Sequence, residues 1–307
     1  MTQKINCGVV GVGYLGAHHA RIYSELEQVN LVGVYDVNTE KAREIAERYH
    51  CEVFQDIESL ARNCQAVSVV TPTTTHAEVA LKILPLGCHV LVEKPLCVNL
   101  TEAEQMIKMA DKYACYLQVG HVEHFNPVAS FLETNVSMPR YITADRLAPF
   151  NPRGTDVGVV LDLMIHDLGI VLQLVNSPIE SIEAVGVSVL SKREDIANAR
   201  IHFRNHCIAN FNASRISLKK VREIRVFQAN KYLSLDFMEQ KGHLLYKDGS
   251  ELKKEEVPLH KAEPLKVELA SFVDCVLRMH QPKINGVVAR SALAVALQIT
   301  DIIQKGM

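Results

Sequence analysis

Short apolar runs alternate with amphipathic segments of helical spacing over the first 120 residues of the chain. The apolar runs predict strands at residues 5–10, 30–35, around 53, 66–70, 88–92 and 116–119. Between them, apolar residues three and four apart predict helices at 15–27, 39–50, 76–86 and 101–114. Buried strands that alternate with helices are typical of a parallel sheet covered on both faces. Because crossovers between parallel strands are right-handed, we expect an α/β domain with a doubly wound sheet.

A different pattern begins after about residue 125. Apolar and polar residues alternate from 179 to 258, which predicts hairpins that turn near Asn205 and near Asn230-Lys231. Helical spacing is found at 157–175, 264–279 and 287–305. We therefore expect a C-terminal α+β domain with a mostly antiparallel sheet. The predicted domains are residues 1–121 and 122–307, with the last helix free to pack back on the first domain.

The composition is that of an ordinary globular protein with balanced charge. The 307 residues include 33 Lys and Arg against 35 Asp and Glu, a formal net charge of -2, and 48% are hydrophobic. This balance argues against a protein whose main role is to coat nucleic acid or an anionic membrane. The N-terminus lacks the apolar region of a signal peptide, and no run of about 18 apolar residues predicts a membrane span. We expect a cytoplasmic protein.

Eight cysteines are present, and no two are spaced as a CxxC pair. Several lie in apolar strand-like runs, so we interpret them as reduced, buried thiols of a cytosolic protein. His121 and His124 are three residues apart and flank Glu123, a spacing that zinc ligands use. Nothing elsewhere in the sequence supplies the remaining ligands convincingly, so we expect no metal site.

A glycine-rich motif follows the first predicted strand and opens the first predicted helix. Gly11, Gly13 and Gly16 form GxGxxG, and Asp36 follows 20 residues after Gly16. In a dinucleotide site the first glycine permits a tight turn, the second lets the backbone approach the pyrophosphate, and the third lets helix and strand pack closely. Asp36 would accept hydrogen bonds from the adenosine ribose and repel a 2′-phosphate, which favours NAD over NADP. The alternative interpretation of the motif is a glycine-rich structural turn. Arg43 is a possible partner of a 2′-phosphate, or else a solvated residue on a charged helix.

Two groups of polar residues lie where this fold places chemistry. Glu93-Lys94-Pro95 follows a predicted strand at the sheet edge where ligands bind, so Lys94 is a candidate hydrogen-bond donor or proton carrier. Asp162 and His166 are four apart on an otherwise apolar helix, so they share one face. An Asp that orients a His is a general-base unit. The alternative for Glu93-Lys94-Pro95 is a common surface turn, and the alternative for Asp162 and His166 is a surface pair or a helix-end contact.

The motifs VVGVGYLG, TPTTTH (71–76), EKP (93–95) and DLMIHD (162–167), in this order, resemble the Gfo/Idh/MocA oxidoreductases. The resemblance covers essentially the whole chain. It implies an N-terminal Rossmann domain and a C-terminal α+β domain whose open sheet often forms the oligomer interface, and hence a homodimer or homotetramer. Members of the family oxidise or reduce a carbon of a sugar or cyclitol with NAD(P).

The resemblance also implies roles for individual residues. The catalytic candidates are Lys94, Asp162 and His166. We assign to the cofactor site Gly11, Gly13, Tyr14, Leu15, Gly16, Asp36, Asn38, Thr71, Pro72, His76, Glu93, Lys94 and His121. The substrate-binding candidates are Lys94, His124, Asn126, Arg153 and His166. Two departures stand out, because Gly169 lies where many members have Asp, and His124 lies where Arg is frequent.

Within the family, GHVEHFNPV and DLMIHDLGIVLQLV most resemble the branch that oxidises the C3 hydroxyl of UDP-N-acetylglucosamine. That resemblance implies NAD as cofactor, a 3-keto sugar nucleotide as product, and a PLP aminotransferase that uses this product toward the 3-amino sugar of some lipid A molecules. His166, oriented by Asp162, would take the hydroxyl proton while Lys94 holds the oxygen, or Lys94 would be the base. The candidates for binding the UDP diphosphate are Arg146, Arg153 and Arg215, because Arg matches phosphate geometry. The alternative for each is a surface or sheet-edge charge.

Two other kinds of function fit the same residues. The first is a dehydrogenase of a free sugar or cyclitol, or an NAD-using glycosidase of the same fold. The second is a non-catalytic regulator that senses the dinucleotide. The presence of Lys94, Asp162 and His166 together argues against the regulator, because a sensor needs no proton-transfer groups. We expect no nucleic-acid or membrane partner.

Overall fold

Six parallel strands form the first sheet in a computed structural model of the chain, which describes residues 4–151 and 157–306. They are β1 (Ile5–Val10), β2 (Val29–Tyr35), β3 (Glu52–Val53), β4 (Ala66–Val69), β5 (His89–Glu93) and β6 (Leu117–Gly120). Their order across the sheet is β3-β2-β1-β4-β5-β6, so the order reverses between β1 and β4. Ligands of doubly wound sheets bind at such a reversal, outside the carboxyl ends of the strands. The predicted doubly wound sheet is confirmed.

Five helices connect these strands. They are α1 (Tyr14–Glu25), α2 (Thr39–Tyr49), α3 (Ile57–Arg62), α4 (His76–Ile83) and α5 (Leu100–Lys112). Four of the five match helices that the apolar spacing predicts. The apolar spacing does not predict α3, because a helix of six residues is too short to show a helical period. It begins at Asp56, whose side chain accepts a hydrogen bond from the backbone N–H of Ser59.

Eight strands form the second sheet, in the order β14-β13-β12-β11-β7-β10-β9-β8. They are β7 (Tyr141–Leu147), β8 (Ile179–Val187), β9 (Ile196–Phe203), β10 (Ile208–Ser214), β11 (Val221–Phe227), β12 (Lys231–Asp236), β13 (Lys241–Asp248) and β14 (Glu251–Glu256). The β7–β10 pair is parallel and the other six pairs are antiparallel. The hairpins predicted near Asn205 and Asn230 are the β9–β10 and β11–β12 pairs.

Between β6 and β8, the described residues form two α-helices. The first, α6 (Pro127–Asn135), begins at Asn126, and the second, α7 (Ile165–Val175), directly follows a π-helical turn at Val160–Met164. The sequence predicts a regular helix over 157–175. The π turn departs from that expectation, and such turns are frequently found at functional sites.

Two further helices, α8 (Pro264–Arg278) and α9 (Gly286–Gly306), end the chain. The residues up to His121 form one compact unit together with Leu265–Arg290, and Val122–Pro264 form the other together with the residues from Ser291 onward. Leu269, Phe272 and Val273 of α8 belong to the same buried apolar cluster as residues of β1 and α1. The first unit is therefore built from two separate stretches of chain.

Helix α9 is long and apolar enough to cross a membrane by length and composition, with a mean hydropathy of 1.5, and is the one such helix in the ranges that the structure describes. Its Ala292, Leu293 and Ala296 are buried within the protein. A Cβ built at Gly186 of β8 would lie 2.8 Å from the side chain of Ile303, so α9 packs closely on β8. These contacts are those of a core helix.

Candidate active site

The glycine-rich loop lies at the carboxyl end of β1, beside the reversal of strand order. Gly11 has a φ of +86°, and a Cβ there would lie 2.6 Å from the carbonyl oxygen of Val70. A Cβ at Gly16 would overlap the carbonyl oxygen of Gly11. At Gly13, by contrast, an added Cβ meets no described atom within 4 Å. The loop therefore turns tightly, packs α1 against β1, and leaves open space where a pyrophosphate approaches the start of α1.

Asp36 is held against this loop. Its carboxylate accepts hydrogen bonds from the backbone N–H of Val12 at 2.7 Å and of Asn38 at 2.8 Å. A half-buried carboxylate keeps further lone pairs that can accept the hydroxyls of an adenosine ribose. The Asn38 side chain accepts hydrogen bonds from the backbone N–H groups of Glu40 and Lys41, so it caps α2. The role of Asn38 toward the cofactor stays a prediction.

His76 connects the loop after β4 to the turn after β5. Its Nδ1 lies 2.9 Å from the carbonyl oxygen of Pro95, and its Nε2 lies 2.9 Å from that of Thr71. Burial lowers the pKa of His76, although both carbonyls act in the opposite direction. His76 thus holds two ligand-side loops together. The cofactor contacts predicted for Thr71, Pro72 and His76 remain predictions.

Glu93, the first residue of the EKP turn, is buried. The Glu93 carboxylate lies 3.1 Å from Nε2 of His19 on α1 and accepts the backbone N–H of Lys94 at 3.2 Å. His121, just after β6, is also buried. Burial and then the positive charge of Lys94 lower the pKa of His121 to about 4, so its imidazole is neutral at pH 7. The first unit thus brings the glycine loop, Asp36, the His76 loop and Lys94 to the carboxyl edge of one sheet.

Asp162 and His166 lie in the second unit, at the junction of the π turn and α7. Asp162 is half-buried, whereas His166 is 8% exposed. The residues that immediately flank His166, Ile165 and Asp167, are buried. The predicted pair therefore stands one turn apart on a mostly apolar helix. Its catalytic role stays a prediction.

A buried charge network fixes the start of α7. Arg146 of β7 donates two hydrogen bonds to the Asp167 carboxylate, at 2.9 and 2.8 Å, and one to Glu123 at 2.8 Å. Arg222 of β11 also donates to Glu123, at 3.1 Å. Burial raises the pKa of Asp167, and this effect outweighs the lowering by Arg146. Such bidentate pairs give geometric specificity as well as energy.

This network changes the expectation for the arginines. Arg146 is buried with its guanidinium bound to two carboxylates, so it is a structural residue and not a diphosphate ligand. Arg215 is also buried, and it donates to the carbonyl oxygen of Val157 at 2.8 Å. Arg153 lies outside the described residues. Arg222, which no sequence motif indicates, is the partly exposed arginine of the network.

Asn126 also has a structural role. Its amide donates to Glu123 at 3.2 Å and to the carbonyl oxygen of Phe237 at 3.0 Å, while its oxygen accepts the backbone N–H of Val128. All three contacts are internal, and the side chain is buried. His124 is likewise buried. A substrate contact by either residue stays a prediction.

The zinc alternative gains no support from the side chains. Across residues 4–151 and 157–306, no three His, Cys, Asp or Glu side chains are grouped so that they could hold a metal ion. All eight cysteines are free thiols, and seven of them are buried. Burial raises the pKa of Cys64 to about 12, which makes it an inert packing residue.

Comparison with known proteins identifies the family. A family model described as an oxidoreductase family with an NAD-binding Rossmann fold matches residues 5–121, and the GFO/IDH/MocA C-terminal domain matches residues 132–231. The UDP-N-acetylglucosamine 3-dehydrogenase of Acidithiobacillus ferrooxidans is 36% identical over 299 residues, which are 95% of each chain. The chain belongs to the Gfo/Idh/MocA oxidoreductase family.

Other members of the Gfo/Idh/MocA family agree with this assignment. The solved structure of the UDP-N-acetylglucosamine 3-dehydrogenase GnnA from A. ferrooxidans has a TM-score of 0.94 and 35% identity, covering 98% of both chains. The scyllo-inositol 2-dehydrogenase (NAD(+)) of Bacillus subtilis is 25% identical, covering 100% of this chain and 96% of that one. The predicted fold class is confirmed, as is an NAD-binding Rossmann domain in a dehydrogenase of this family. The open Gly13 position and the fixed Asp36 fit that cofactor.

Proposed function

We propose that the chain oxidises the C3 hydroxyl of UDP-N-acetylglucosamine to a 3-keto sugar nucleotide with NAD. The observation that carries this proposal is the 36% identity to a UDP-N-acetylglucosamine 3-dehydrogenase over 95% of both chains. Matches to cyclitol dehydrogenases have lower identity, 25% for the scyllo-inositol enzyme. The family and cofactor stand without this proposal, whereas the substrate rests on it.

Two residues carry the proton chemistry in this proposal. His166 takes the proton of the C3 hydroxyl at a ring nitrogen, and Asp162 orients the ring. The Lys94 ammonium holds the same oxygen and stabilises its developing negative charge. The bound nicotinamide supplies the acceptor for the C3 hydride. The Arg146 network keeps the start of α7, and therefore His166, in one place.

Turnover of UDP-N-acetylglucosamine with NAD, followed by NADH absorbance, tests the proposal. We expect Lys94→Ala and His166→Asn each to lower kcat/KM by about 10²- to 10⁴-fold, the usual contribution of a positioned acid or base. Lys108→Ala on the exposed side of α5 and His206→Asn in the β9–β10 turn are matched controls, and both should keep wild-type turnover. Unimpaired turnover in Lys94→Ala and His166→Asn would contradict the site.

The same variants separate the two assignments of the base. If His166 is the base, His166→Asn loses the acidic limb of the kcat/KM profile while Lys94→Ala retains it. The opposite result assigns the base to Lys94.

Other substrates are tested in the same assay. Turnover of free inositols or sugars without turnover of UDP-hexosamines would favour the free-sugar dehydrogenase. A retained cofactor with no net NADH release would indicate a glycosidase or an internally recycling enzyme. Tight NAD binding with no turnover of any sugar would favour a dinucleotide sensor.

The cellular setting is part of the proposal. A PLP aminotransferase that forms a 3-amino sugar is the class of enzyme that would use the 3-keto product. We place this reaction in the cytoplasm, on the way to lipid A-type sugars. We also propose a homodimer or homotetramer formed through the second sheet, where Val185 and Val187 of β8 are more than half exposed. A monomer mass in light scattering would refute that assembly.

A further inference from the structure

Two buried glutamates, Glu93 at the end of β5 and Glu268 of α8, contact the same face of β6. Gln118 and Gly120 share that face because side chains alternate along a strand. Gln118 donates a hydrogen bond to the backbone carbonyl of Glu268 at 3.4 Å. A Cβ at Gly120 would lie 2.8 Å from Oε1 of Glu93. The carboxyl group of Glu93 and the α8 residue Glu268 are therefore neighbours.

The two carboxyl groups have very different surroundings. Glu93 has the His19 ring at 3.1 Å, the backbone N–H of Lys94 at 3.2 Å, and the positive charge of Lys94 nearby. Glu268 is 0% exposed, and within the described part of the chain neither of its carboxyl oxygens has a hydrogen-bond partner. Isolating a buried carboxylate costs several kcal/mol, and two adjacent carboxylates resist ionising together. One proton must therefore reside on the pair, and Glu268 is the better place for it.

The direction of each pKa agrees with this assignment. Burial raises the pKa of Glu268 well above 4.5, and the negative charge of Glu93 raises it further. Burial alone would also raise the pKa of Glu93, but His19 and Lys94 bring it below 4.5. The neutral acid on Glu268 removes the repulsion between them.

The remaining titratable groups around the pair carry no competing charge at neutral pH. Burial raises the pKa of Tyr23 on α1 and of Cys7 on β1, so both stay protonated. His121 after β6 is neutral because its pKa is about 4. Among the described groups, the His19 ring and the charge of Lys94 are the ones that lower the pKa of Glu93.

We propose that Glu268 is held as a neutral carboxylic acid and acts as a positioning residue, because its neutrality leaves Glu93 ionised beside Lys94. Glu93 then fixes the start of the EKP turn through the Lys94 N–H. Ionisation of Glu268 at high pH would release its proton to solvent and place a second negative charge next to Glu93, which would repel that carboxylate from its place at the EKP turn. The consequence for activity rests on the proposed function of Lys94, whereas the protonation of Glu268 does not.

Infrared difference spectroscopy of the full-length protein tests the protonation directly. At neutral pH, the wild-type minus Glu268→Gln spectrum should show the C=O stretching band of a protonated carboxylic acid. The matched control Glu47→Gln, on the exposed side of α2, should show carboxylate bands instead. Carboxylate bands for Glu268→Gln would overturn the proposal. If that variant does not fold, ¹³C NMR of wild-type protein labelled at the glutamate carboxyls must show one protonated acid at neutral pH, and its absence overturns the proposal.

Stability gives a second measurement that needs no substrate. The pKa of Glu268 is higher in the folded than in the unfolded chain, so the folded state loses stability as pH rises above 4.5 toward the raised value. Gln cannot ionise and escapes this loss. We expect the Tm of Glu268→Gln, relative to wild type, to rise with pH. A constant difference would contradict the proposal.

The positioning role is tested by the pH profile of kcat/KM. We expect the alkaline decline of kcat/KM to move to higher pH in Glu268→Gln, because its side chain cannot acquire the negative charge that would disturb Glu93 at high pH. A residue with a merely structural role would leave the profile in place. An unchanged profile together with a protonated-acid infrared band would refute the positioning role alone. Absence of turnover in wild type would instead count against the proposed substrate.

Discussion

Three glycines of one motif face very different surroundings. Gly16 is closed by the carbonyl of Gly11, and Gly11 needs a left-handed backbone. Gly13 has open space on the side where a Cβ would stand. The fold therefore requires glycine at positions 11 and 16, whereas bound cofactor is the reason for glycine at position 13.

The contrast predicts opposite results for two alanine variants. Gly16→Ala forces a methyl group against the carbonyl oxygen of Gly11. Overpacking of this kind costs about 1–3 kcal/mol, so the variant should lose at least that much free energy of unfolding. Gly13→Ala should unfold in urea like wild type but bind NAD at least about tenfold more weakly, because its methyl group occupies the pyrophosphate approach. Urea denaturation and fluorescence titration with NAD measure the two effects. Normal NAD affinity in Gly13→Ala would be inconsistent with this site.

At the residue scale, the sequence predicts functional residues correctly where they lie close together in the chain. The glycine loop and Asp36 lie within one βαβ unit, so their spacing indicates a dinucleotide site. The role of Arg146 was mispredicted because its partners Asp167 and Glu123 are 21 and 23 residues away in the chain. Asn126 has a partner 111 residues away. No local pattern reveals such pairings.

At the scale of elements, one guanidinium joins three pieces of secondary structure. Arg146 on β7 holds Asp167 on α7 and Glu123 in the short 3₁₀ turn Val122–Phe125. Because Asp167 directly follows His166, this junction sets where the imidazole stands.

Removal of this guanidinium should therefore strongly destabilise the folded protein. Arg146→Ala leaves the buried Asp167 carboxylate without its cation and Glu123 with Arg222 alone, and we expect a loss of about 3–5 kcal/mol in the free energy of unfolding. Arg225→Ala on the neighbouring β11 is the matched control. Arg225 also pairs with two carboxylates, Asp145 and Glu223, but its own side chain is 40% exposed. Its loss should stay below about 1 kcal/mol. Equal losses in the two variants, measured by denaturant unfolding, would refute the role of the network.

Element types were predictable where a period was long enough to see. The β9–β10 and β11–β12 hairpins show clear alternation and turn residues. The π turn at Val160–Met164 has the same apolar composition as a regular helix, so its backbone pattern leaves no trace in the sequence. The parallel β7–β10 pair was also hidden, because its strands are separated by α7 and two other strands.

At the scale of the whole molecule, cofactor binding should be visible as stability. NAD at about 100 times its Kd should stabilise the folded state by about 2.7 kcal/mol, since it binds the folded chain. NADP at the same concentration should stabilise it less, because the Asp36 carboxylate repels the 2′-phosphate. Calorimetric Tm values with each dinucleotide measure this difference. In Asp36→Ala the preference for NAD should disappear, and Asp111→Ala on the exposed end of α5 should keep it.

The return of α8 to the core of the first unit has a consequence for how the protein is made. The β1–β6 sheet leaves the ribosome about 150 residues before Leu269 and Phe272, which complete its apolar cluster. At about 5–20 residues per second, that delay lasts roughly 7–30 s. During this interval the nascent sheet exposes the surface that α8 later covers, so binding by a chaperone is expected there first. The cofactor-binding unit is thus begun first in translation but cannot be completed until nearly the whole chain has been synthesised.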